Sequence, residues 1–362
     1  MVGISLCMIV KNEEDVLARC LESVRGIADE IIVVDTGSTD KTVEIARQFT
    51  NQVYYFDWRD DFSAARNFAF SFARNDYTLW LDADDLLLPA DREAFLNLKD
   101  NLSPDVDVVL MKYNISFDTQ GNPTFGYYRE RLVRTGKFHW EGRVHEIIPP
   151  EGNLLFSNIA VTHRKTHPSA PDRNLKIYET MLSQGISLSP REQYYYAREL
   201  FDHKRYQQAA SCFSAFLKEG KGWVEDNISA CLCMADCYFA AGERDRGLTA
   251  LLHSFSYDLP RPEVCCALGQ YFIQCGAYRQ AVFWYETACR CQLPEHPLGF
   301  RNPDCADFIP YMQLCVCYDR LGEREQAYAY HQKAKKLKPD DPAVQYNEAY
   351  FTGQASCSEK ES

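Results

Sequence analysis

Features that define several common classes of protein are missing from this chain of 362 residues. It has no G-x-x-x-x-G-K-[ST] and no G-x-G-x-x-G, which excludes the phosphate-binding loop and the dinucleotide fingerprint. Acidic residues outnumber basic ones by 51 to 39, so the net charge of −12 does not favour binding to nucleic acid. No apolar run is long enough to span a bilayer, and no basic segment precedes the short apolar run at the N-terminus. We therefore expect no nucleic-acid partner, no transmembrane segment, no signal peptide and a cytoplasmic location.

The 15 cysteines also lack the spacing of a common metal or redox motif. No pair is arranged as C-x-x-C, and 13 of the cysteines fall between Cys212 and Cys357, where the sequence pattern is helical. We interpret most of them as small buried hydrophobic residues in a reducing compartment, rather than as metal ligands or disulfides.

Up to about residue 180, short apolar runs alternate with amphipathic stretches. Strands are predicted at 4–10, 30–35, 52–56 and 77–82, and the segments between them have apolar residues at helical spacing. This alternation predicts parallel strands joined by right-handed crossovers, hence an open α/β sheet. The ligand crevice of such a sheet lies at the carboxyl ends of its strands. Polar residues follow these ends at Lys11 to Glu13, at Asp35 and at Asp82 to Asp85.

From about residue 190 the pattern changes to pairs of helices. The predicted turn positions Lys204, Gly242, Gly276 and Gly322 are separated by 38, 34 and 46 residues. The middle interval equals the tetratricopeptide period, and the last interval contains an extra loop. This part therefore resembles a tetratricopeptide array, whose concave face often binds proteins or peptides. The alternative is a module for dimerisation or stability.

Four segments of the N-terminal half, "MIVKNEE", "IIVVDTGSTDKT", "ARN" and "LWLDADD", occur in an order that resembles the inverting glycosyltransferases of family 2. The resemblance implies an α/β GT-A domain with a Rossmann-like, open and mainly parallel sheet at 1–188. An all-α tetratricopeptide domain is expected at 189–352, with a disordered tail at 353–362. The segment "GRVHE" resembles one in bacterial members that modify bacteriocins or the lipopolysaccharide core.

The resemblance implies roles for four residues around the donor, a nucleotide sugar that we expect to be UDP-linked. Asn12 and Glu13 would lie beside the nucleotide base, and Asp35 would accept a hydrogen bond from uracil. A turn aspartate is the alternative for Asp35. Arg66 of "ARN" would lie near the nucleotide, where its guanidinium pairs with phosphate or a carbonyl group. A surface arginine is the alternative for Arg66.

The "DADD" segment at residues 82–85 matches the DxD motif of the family. The match implies that Asp82 contacts the ribose or a metal-bound water or itself ligates the metal, and that Asp84 ligates Mg²⁺ or Mn²⁺ at the donor diphosphate. His163 would reach the metal or the diphosphate, with a core histidine as the alternative. A cation would offset both the repulsion among the aspartates and the negative charge that develops on UDP.

Inverting transfer also needs a carboxylate that takes the proton of the acceptor. Glu146 in "GRVHE" is the first candidate for this base and Glu141 is the second.

The sequence is also compatible with other functions. A nucleotidyltransferase shares the α/β sheet and the acidic metal site, but usually begins with a Gly-rich basic loop, which "CMIVKNEED" is not. A scaffold with a relic α/β half would bind partners through its repeats alone. For a glycosyltransferase, the repeats favour a peptide or protein acceptor. The alternative is a cell-envelope glycan or lipid, with the repeats used to form a homodimer.

Overall fold

A computed structural model of the chain describes residues 1–117, 121, 123–165, 172–292, 299 and 301–353. The described chain divides into two compact units, the first from Met1 to Tyr196 and the second beginning at Ala197. The boundary expected at 188 stays a prediction, and residues 354–362 of the predicted tail lie outside the described residues.

The described residues of the first unit contain one eight-stranded sheet with the order β3-β2-β1-β4-β7-β6-β8-β5. Strands β1 to β4 pair in parallel, as do β6 and β8, whereas the pairs β4–β7, β6–β7 and β5–β8 are antiparallel. The strands are β1 Ile4–Val10, β2 Glu30–Asp35, β3 Val53–Tyr55, β4 Tyr77–Trp80, β5 Asp85–Leu87, β6 Val108–Phe117, β7 Pro123–Arg134 and β8 Leu154–His163.

Six helices begin within the described part of this unit. They are α1 Leu17–Ser23, α2 Thr42–Ala46, α3 Phe62–Phe70, α4 Pro89–Asn101, α5 Arg173–Ser183 and α6 Pro190–Asp202. β1 and β2 have the predicted bounds, and β3 and β4 are slightly shorter than predicted.

Both faces of the central strands are buried, which is typical of parallel strands covered by helices. Along β1, Leu6 and Met8 belong to one apolar cluster, while Cys7 between them belongs to another on the opposite face. Cys7 packs near Ala69 of α3, whose carbonyl oxygen accepts from its thiol at 3.5 Å. This two-sided burial leaves the loops at the strand ends as the positions for polar side chains.

The second unit is a tetratricopeptide-like array of helices. They are α7 Tyr206–Glu219, α8 Val224–Ala240, α9 Arg244–His253, α10 Pro262–Gln274, α11 Tyr278–Arg290, α12 Phe308–Arg320, α13 Arg324–Leu337 and α14 Pro342–Phe351. All four predicted turn residues are left-handed, with φ of +58° at Lys204, +78° at Gly242, +70° at Gly276 and +80° at Gly322. The predicted turns between the two helices of each pair are thereby confirmed.

The cysteines behave as the sequence predicts. Of the 14 that the structure describes, all are free thiols and nine are buried, at positions 7, 20, 231, 237, 265, 266, 305, 315 and 317. Within the described chain, no helix has both the length and the apolar character required to cross a bilayer.

Candidate active site

The loops that follow β1 and β2 are hydrogen-bonded to each other. Asn12 has a left-handed backbone with φ of +55°, which asparagine tolerates better than most residues. Its amide N–H donates to Ser38 Oγ at 2.9 Å, and its Oδ1 accepts from the Thr39 N–H at 2.8 Å. The Glu13 N–H donates to Thr42 Oγ1 at 2.7 Å. The two predicted base-contacting residues are therefore held beside the β2 loop, and their contact with a base stays a prediction.

Asp35, the last residue of β2, is buried and organises the turn that follows it. Its carboxylate accepts hydrogen bonds from the backbone N–H of Gly37 at 3.1 Å and of Ser38 at 3.2 Å. Gly37 has φ of +101°, a conformation that strongly favours glycine. The turn role considered for Asp35 is thus present. A carboxylate has about four acceptor positions, so the turn does not preclude a hydrogen bond from uracil, which stays a prediction.

The three carboxylates of "DADD" have different surroundings. Asp82 Oδ1 accepts from Arg66 Nη2 at 2.7 Å. Burial raises the pKa of Asp82, but the positive charges of Arg66 and Arg131 outweigh it and lower this pKa to about 2. Asp85 is fully buried, whereas the Asp84 side chain is 17% exposed. The three carboxylates therefore differ in exposure, and Asp82 is paired with a cation.

Asp85 forms an ion pair with a buried arginine that the sequence analysis did not single out. Arg131 Nη1 donates to Asp85 Oδ2 at 2.9 Å, and both side chains are fully buried. The Arg131 guanidinium lies 3.9 Å from the ring centroid of Trp80 and 4.3 Å from that of Tyr113. Asp85 Oδ2 also accepts from the Asp82 N–H at 3.1 Å. Nothing in the sequence singles out Arg131, because it lies in "RERLVR", where Arg129, Glu130 and Arg134 are charged as well.

Asp84, Asp85 and His163 form the group that can hold a metal ion in the described chain, with one ligand atom of each within 4.8 Å of the others. His163 Nδ1 lies 3.3 Å from Asp84 Oδ1, 3.4 Å from Asp85 Oδ1 and 3.0 Å from the Tyr113 hydroxyl. Burial lowers the pKa of His163, but the hydrogen bonds to both aspartates outweigh it and raise this pKa to about 9.

The structure thus brings the predicted ligands Asp84 and His163 together, adds Asp85, and leaves Asp82 outside the group. Ligation by Asp82 stays a prediction. Asp85 was overlooked because three identical side chains in four positions give no sign of which ones turn inward.

Replacing Asp85 by asparagine should destabilise the first unit by about 3–5 kcal/mol, because Arg131 would remain buried without a counter-charge. Urea unfolding followed by circular dichroism measures this loss. Asp84→Asn is the matched control and should lose clearly less, since Asp84 is partly exposed and lies beside His163 rather than Arg131. Equal losses in the two variants would contradict the structural role of the Asp85–Arg131 pair.

Arg66 of α3 joins two of the predicted site residues. Besides the bond to Asp82, its Nε donates to Glu146 Oε1 at 2.7 Å. Its guanidinium lies beside two indole rings, 5.1 Å from the centroid of Trp80 and 4.8 Å from that of Trp140. The structure therefore connects the "DADD" segment to the first candidate base through one cation. The predicted phosphate contact of Arg66 is not tested by this arrangement.

The loop that carries Glu146 is held by helices of the first unit. Asn67 Nδ2 donates to the Trp140 carbonyl at 2.9 Å, and Asn67 Oδ1 accepts from the Trp140 N–H at 2.7 Å. His145 has φ of +53° and stacks on Tyr195 of α6 with ring centroids 4.2 Å apart. Asn67 was missed as a positioning residue, although the adjacent arginine and asparagine of "ARN" were a usable signal.

Glu141, the second candidate base, has a different setting. Its backbone pairs with Ile147 in both directions, at 2.9 and 3.0 Å. Its carboxylate is exposed and lies 3.1 Å from His139 Nε2. Of the two candidates, Glu146 is the one linked to Asp82 through Arg66.

Residues 5–157 match the family model described as Glycosyl transferase family 2. The N-terminal part of the chain is a family 2 glycosyl transferase domain. Its mixed sheet agrees with the GT-A fold expected from the sequence, and the second unit agrees with the expected tetratricopeptide domain.

Curated relatives match parts of the chain. A "TPR repeat-containing protein" of Synechococcus elongatus is 48% identical over 102 residues, which are 28% of this chain and 25% of that protein. The "SPbeta prophage-derived glycosyltransferase SunS" of Bacillus subtilis is 30% identical over 207 residues, which are 53% of this chain and 48% of SunS. The chain thus spans between a quarter and a half of the length of these two relatives.

Solved structures resemble the chain only distantly. S. aureus TarS 1–349 in complex with UDP has 16% identity and a TM-score of 0.35, covering 70% of this chain and 91% of that one. A MamA structure has 22% identity and a TM-score of 0.35, covering 46% of this chain and 81% of that one. Scores this low carry no argument about donor or acceptor.

Proposed function

We propose that the chain is a metal-dependent, inverting glycosyltransferase that moves a sugar from a UDP-linked donor to an acceptor. The observation that carries this proposal is the group of Asp84, Asp85 and His163 in a family 2 domain, in which both aspartates follow β4 and the histidine ends β8. A relic α/β half in a scaffold protein would not require two carboxylates and an imidazole with ligand atoms within 4.8 Å.

The donor atoms of this group fit a divalent cation. Two carboxylate oxygens with one imidazole nitrogen suit Mn²⁺ better than Mg²⁺, which prefers oxygen ligands alone. Asp84 and His163 are partly exposed and so accessible, while Asp85 keeps one oxygen on Arg131. When bound, the cation would offset the negative charge that develops on the leaving diphosphate. The residues of the chain would hold it and shield Asp85 from water.

For the nucleotide, we propose that Asp35 selects uracil, with Asn12 and Glu13 beside the base. A carboxylate accepts hydrogen bonds, so it favours a base that presents an N–H, as uracil does at N3. The proposal is supported by the position of Asp35 at the end of β2 and by the hydrogen-bonded loops around it.

For the transfer step, we propose that Glu146 takes the proton of the acceptor atom, whether oxygen, sulfur or nitrogen. That atom forms a bond to the anomeric carbon on the face opposite UDP. The bond from this carbon to the diphosphate oxygen breaks, and its electron pair leaves with UDP. The role is supported by the orientation of Glu146 by Arg66, whereas Glu141 lies exposed beside His139.

A screen of nucleotides on the purified full chain tests the function. UDP and UDP-sugars should raise the melting temperature, more so with Mn²⁺ than with EDTA, because ligands of the native state stabilise it by mass action. GDP-mannose is the control and should give a smaller shift. Release of UDP from a matching UDP-sugar should then be detectable. If no nucleotide changes the melting temperature and no sugar nucleotide is consumed, the scaffold alternative replaces this proposal.

We further propose that the helical unit recruits a peptide or protein acceptor. In this proposal the protein is cytoplasmic and does not need to form a homodimer. Among the aromatic residues of the helices, Tyr194, Tyr195 and Tyr285 are buried and serve packing. Tyr238, Tyr271 and Trp284 are only half-buried. This leaves aromatic surface on the repeats for an extended peptide.

Truncation after Asp202 tests this role of the repeats, since it keeps α6 and therefore the stacking of Tyr195 on His145. Donor hydrolysis should persist, while transfer to a protein acceptor should be lost. Full transfer by the truncated chain would mean that the repeats are not an acceptor track. Dimerisation of the full chain but not of the truncated one, with transfer to a glycan or lipid, would favour the alternative acceptor class.

A further inference from the structure

We infer that Arg66 is a positioning residue that fixes Glu146 relative to Asp82, rather than a ligand of the donor phosphates. This inference rests on the proposed function, because it assigns Arg66 a part in the same transfer reaction.

The guanidinium of Arg66 is already engaged on two sides. Its Nη2 donates to Asp82 Oδ1 and its Nε to Glu146 Oε1, both at 2.7 Å. The Arg66 side chain is only 9% exposed, and that of Glu146 only 12%. Asp82 follows β4, whereas Glu146 belongs to the loop after β7. A planar fork of donors can hold two carboxylates from different elements in a fixed geometry, whereas the rotatable donors of a lysine ammonium set no such geometry.

The surroundings of the guanidinium restrict its movement. It lies beside the indole rings of Trp80 and Trp140, which pack edge to face with centroids 4.8 Å apart. Trp80 ends β4, and Trp140 belongs to the same loop as Glu146. Contact with both rings adds cation–π attraction and limits the movement of the guanidinium. The two carboxylates and the two indoles therefore define one position for the side chain.

Helix α3 holds the loop of Glu146 with two consecutive residues. Arg66 binds the Glu146 carboxylate, and Asn67 binds the backbone of Trp140 through both a donor and an acceptor. The helix thus fixes the loop at both the side-chain and the backbone level. This explains in physical terms why an arginine and an asparagine are adjacent in "ARN".

Pairing with a phosphate would disrupt this arrangement. The single positive charge of Arg66 lies between the two negative charges of Asp82 and Glu146. Arg66 has three further N–H donors, but a phosphate bound to them would place a third anion around this one cation and weaken its pairs with Asp82 and Glu146. Positioning of Glu146 brings no further anion to Arg66.

The inference predicts which kinetic constant changes when Arg66 is replaced. In Arg66→Ala, Glu146 loses its anchor, and displacement of a reacting group by about 1 Å can lower turnover by roughly 10²-fold. The affinity for UDP should stay near that of the wild type, because the nucleotide does not contact Arg66. Arg66→Lys keeps the charge but reaches only one carboxylate, so its kcat should also fall while it retains the fold.

The experiment uses the full chain with millimolar guanidinium chloride, and methylammonium chloride as the control salt. Guanidinium should occupy the space that Arg66→Ala leaves beside the two indoles, restoring part of kcat and part of the wild-type tryptophan fluorescence. It should not restore kcat in Arg66→Ala/Glu146→Gln. Arg59→Ala, at an exposed arginine of the loop before α3, is the matched control and should behave as wild type.

Loss of UDP affinity with kcat preserved in Arg66→Ala or Arg66→Lys would overturn the inference and make Arg66 a phosphate ligand. If the wild type binds no nucleotide and transfers no sugar, the proposed function fails. In that case, the tryptophan fluorescence of Arg66→Ala with each salt still tests the position of the Arg66 side chain. A guanidinium-specific recovery supports the anchored arrangement, and equal responses to both salts overturn it.

Discussion

Asp84→Ala is expected to abolish the part of UDP binding that depends on a divalent cation, and to lower turnover by roughly 10²–10³-fold, the usual effect of removing one contact that stabilises developing charge. The variant leaves His163 together with Asp85, one of whose oxygens is already bound to Arg131. A cation held by so few free ligands is not retained well enough to offset the charge on UDP. The measurements are the UDP-induced change in melting temperature with Mn²⁺ and with EDTA, and the rate of UDP release.

Asp57→Ala is the control for this prediction, because Asp57 is an exposed aspartate of the same unit whose side chain is 90% accessible. It should leave both measurements unchanged. An equal UDP-induced shift in EDTA and in Mn²⁺ for the wild type would rule out the metal-dependent mechanism. Full turnover in Asp84→Ala would instead move the metal role to another carboxylate, with Asp82 the first to test.

Glu146→Gln should lower turnover by roughly 10²–10⁴-fold, the contribution that a general base makes to proton transfer. The amide keeps the shape of the carboxylate, and its oxygen can still accept from Arg66 Nε, so the loop should stay in place. It cannot accept the proton of the acceptor. UDP binding and the melting temperature should therefore remain close to wild type, while steady-state kinetics show a loss in kcat.

Glu141→Gln is the matched control, since it makes the same change in the same loop at an exposed position. Its turnover should be near that of the wild type. A large loss in Glu141→Gln with little loss in Glu146→Gln would assign the base to Glu141. Normal turnover in both variants would mean that neither carboxylate acts as the base.

Local pattern was enough to predict the strands β1 and β2 and the turns of the helical unit. Both strands are mainly apolar runs, with Lys11 directly after β1 and Asp35 at the end of β2, and two-sided burial favours such runs. The turns at Gly242, Gly276 and Gly322 follow from the left-handed backbone that each helix pair requires. The strands β5 to β8 were not predicted, because they pair mostly antiparallel or out of sequence order, and nothing local specifies their partners.

The sequence by itself determined that three carboxylates follow a buried strand, and that the motifs around them occur in the order found in family 2 glycosyltransferases. It also determined that pairs of helices follow this part of the chain. Only the tertiary structure decided which partner each carboxylate takes. Asp82 pairs with Arg66 across 16 positions, Asp85 with Arg131 across 46, and Glu146 with Arg66 across 80. Asp84 lies partly exposed beside His163 and has no arginine partner among the ion pairs of the described residues. The physical reason is that burial forces every charge to find a counter-charge, and the fold, not the spacing along the chain, decides which ones are within reach.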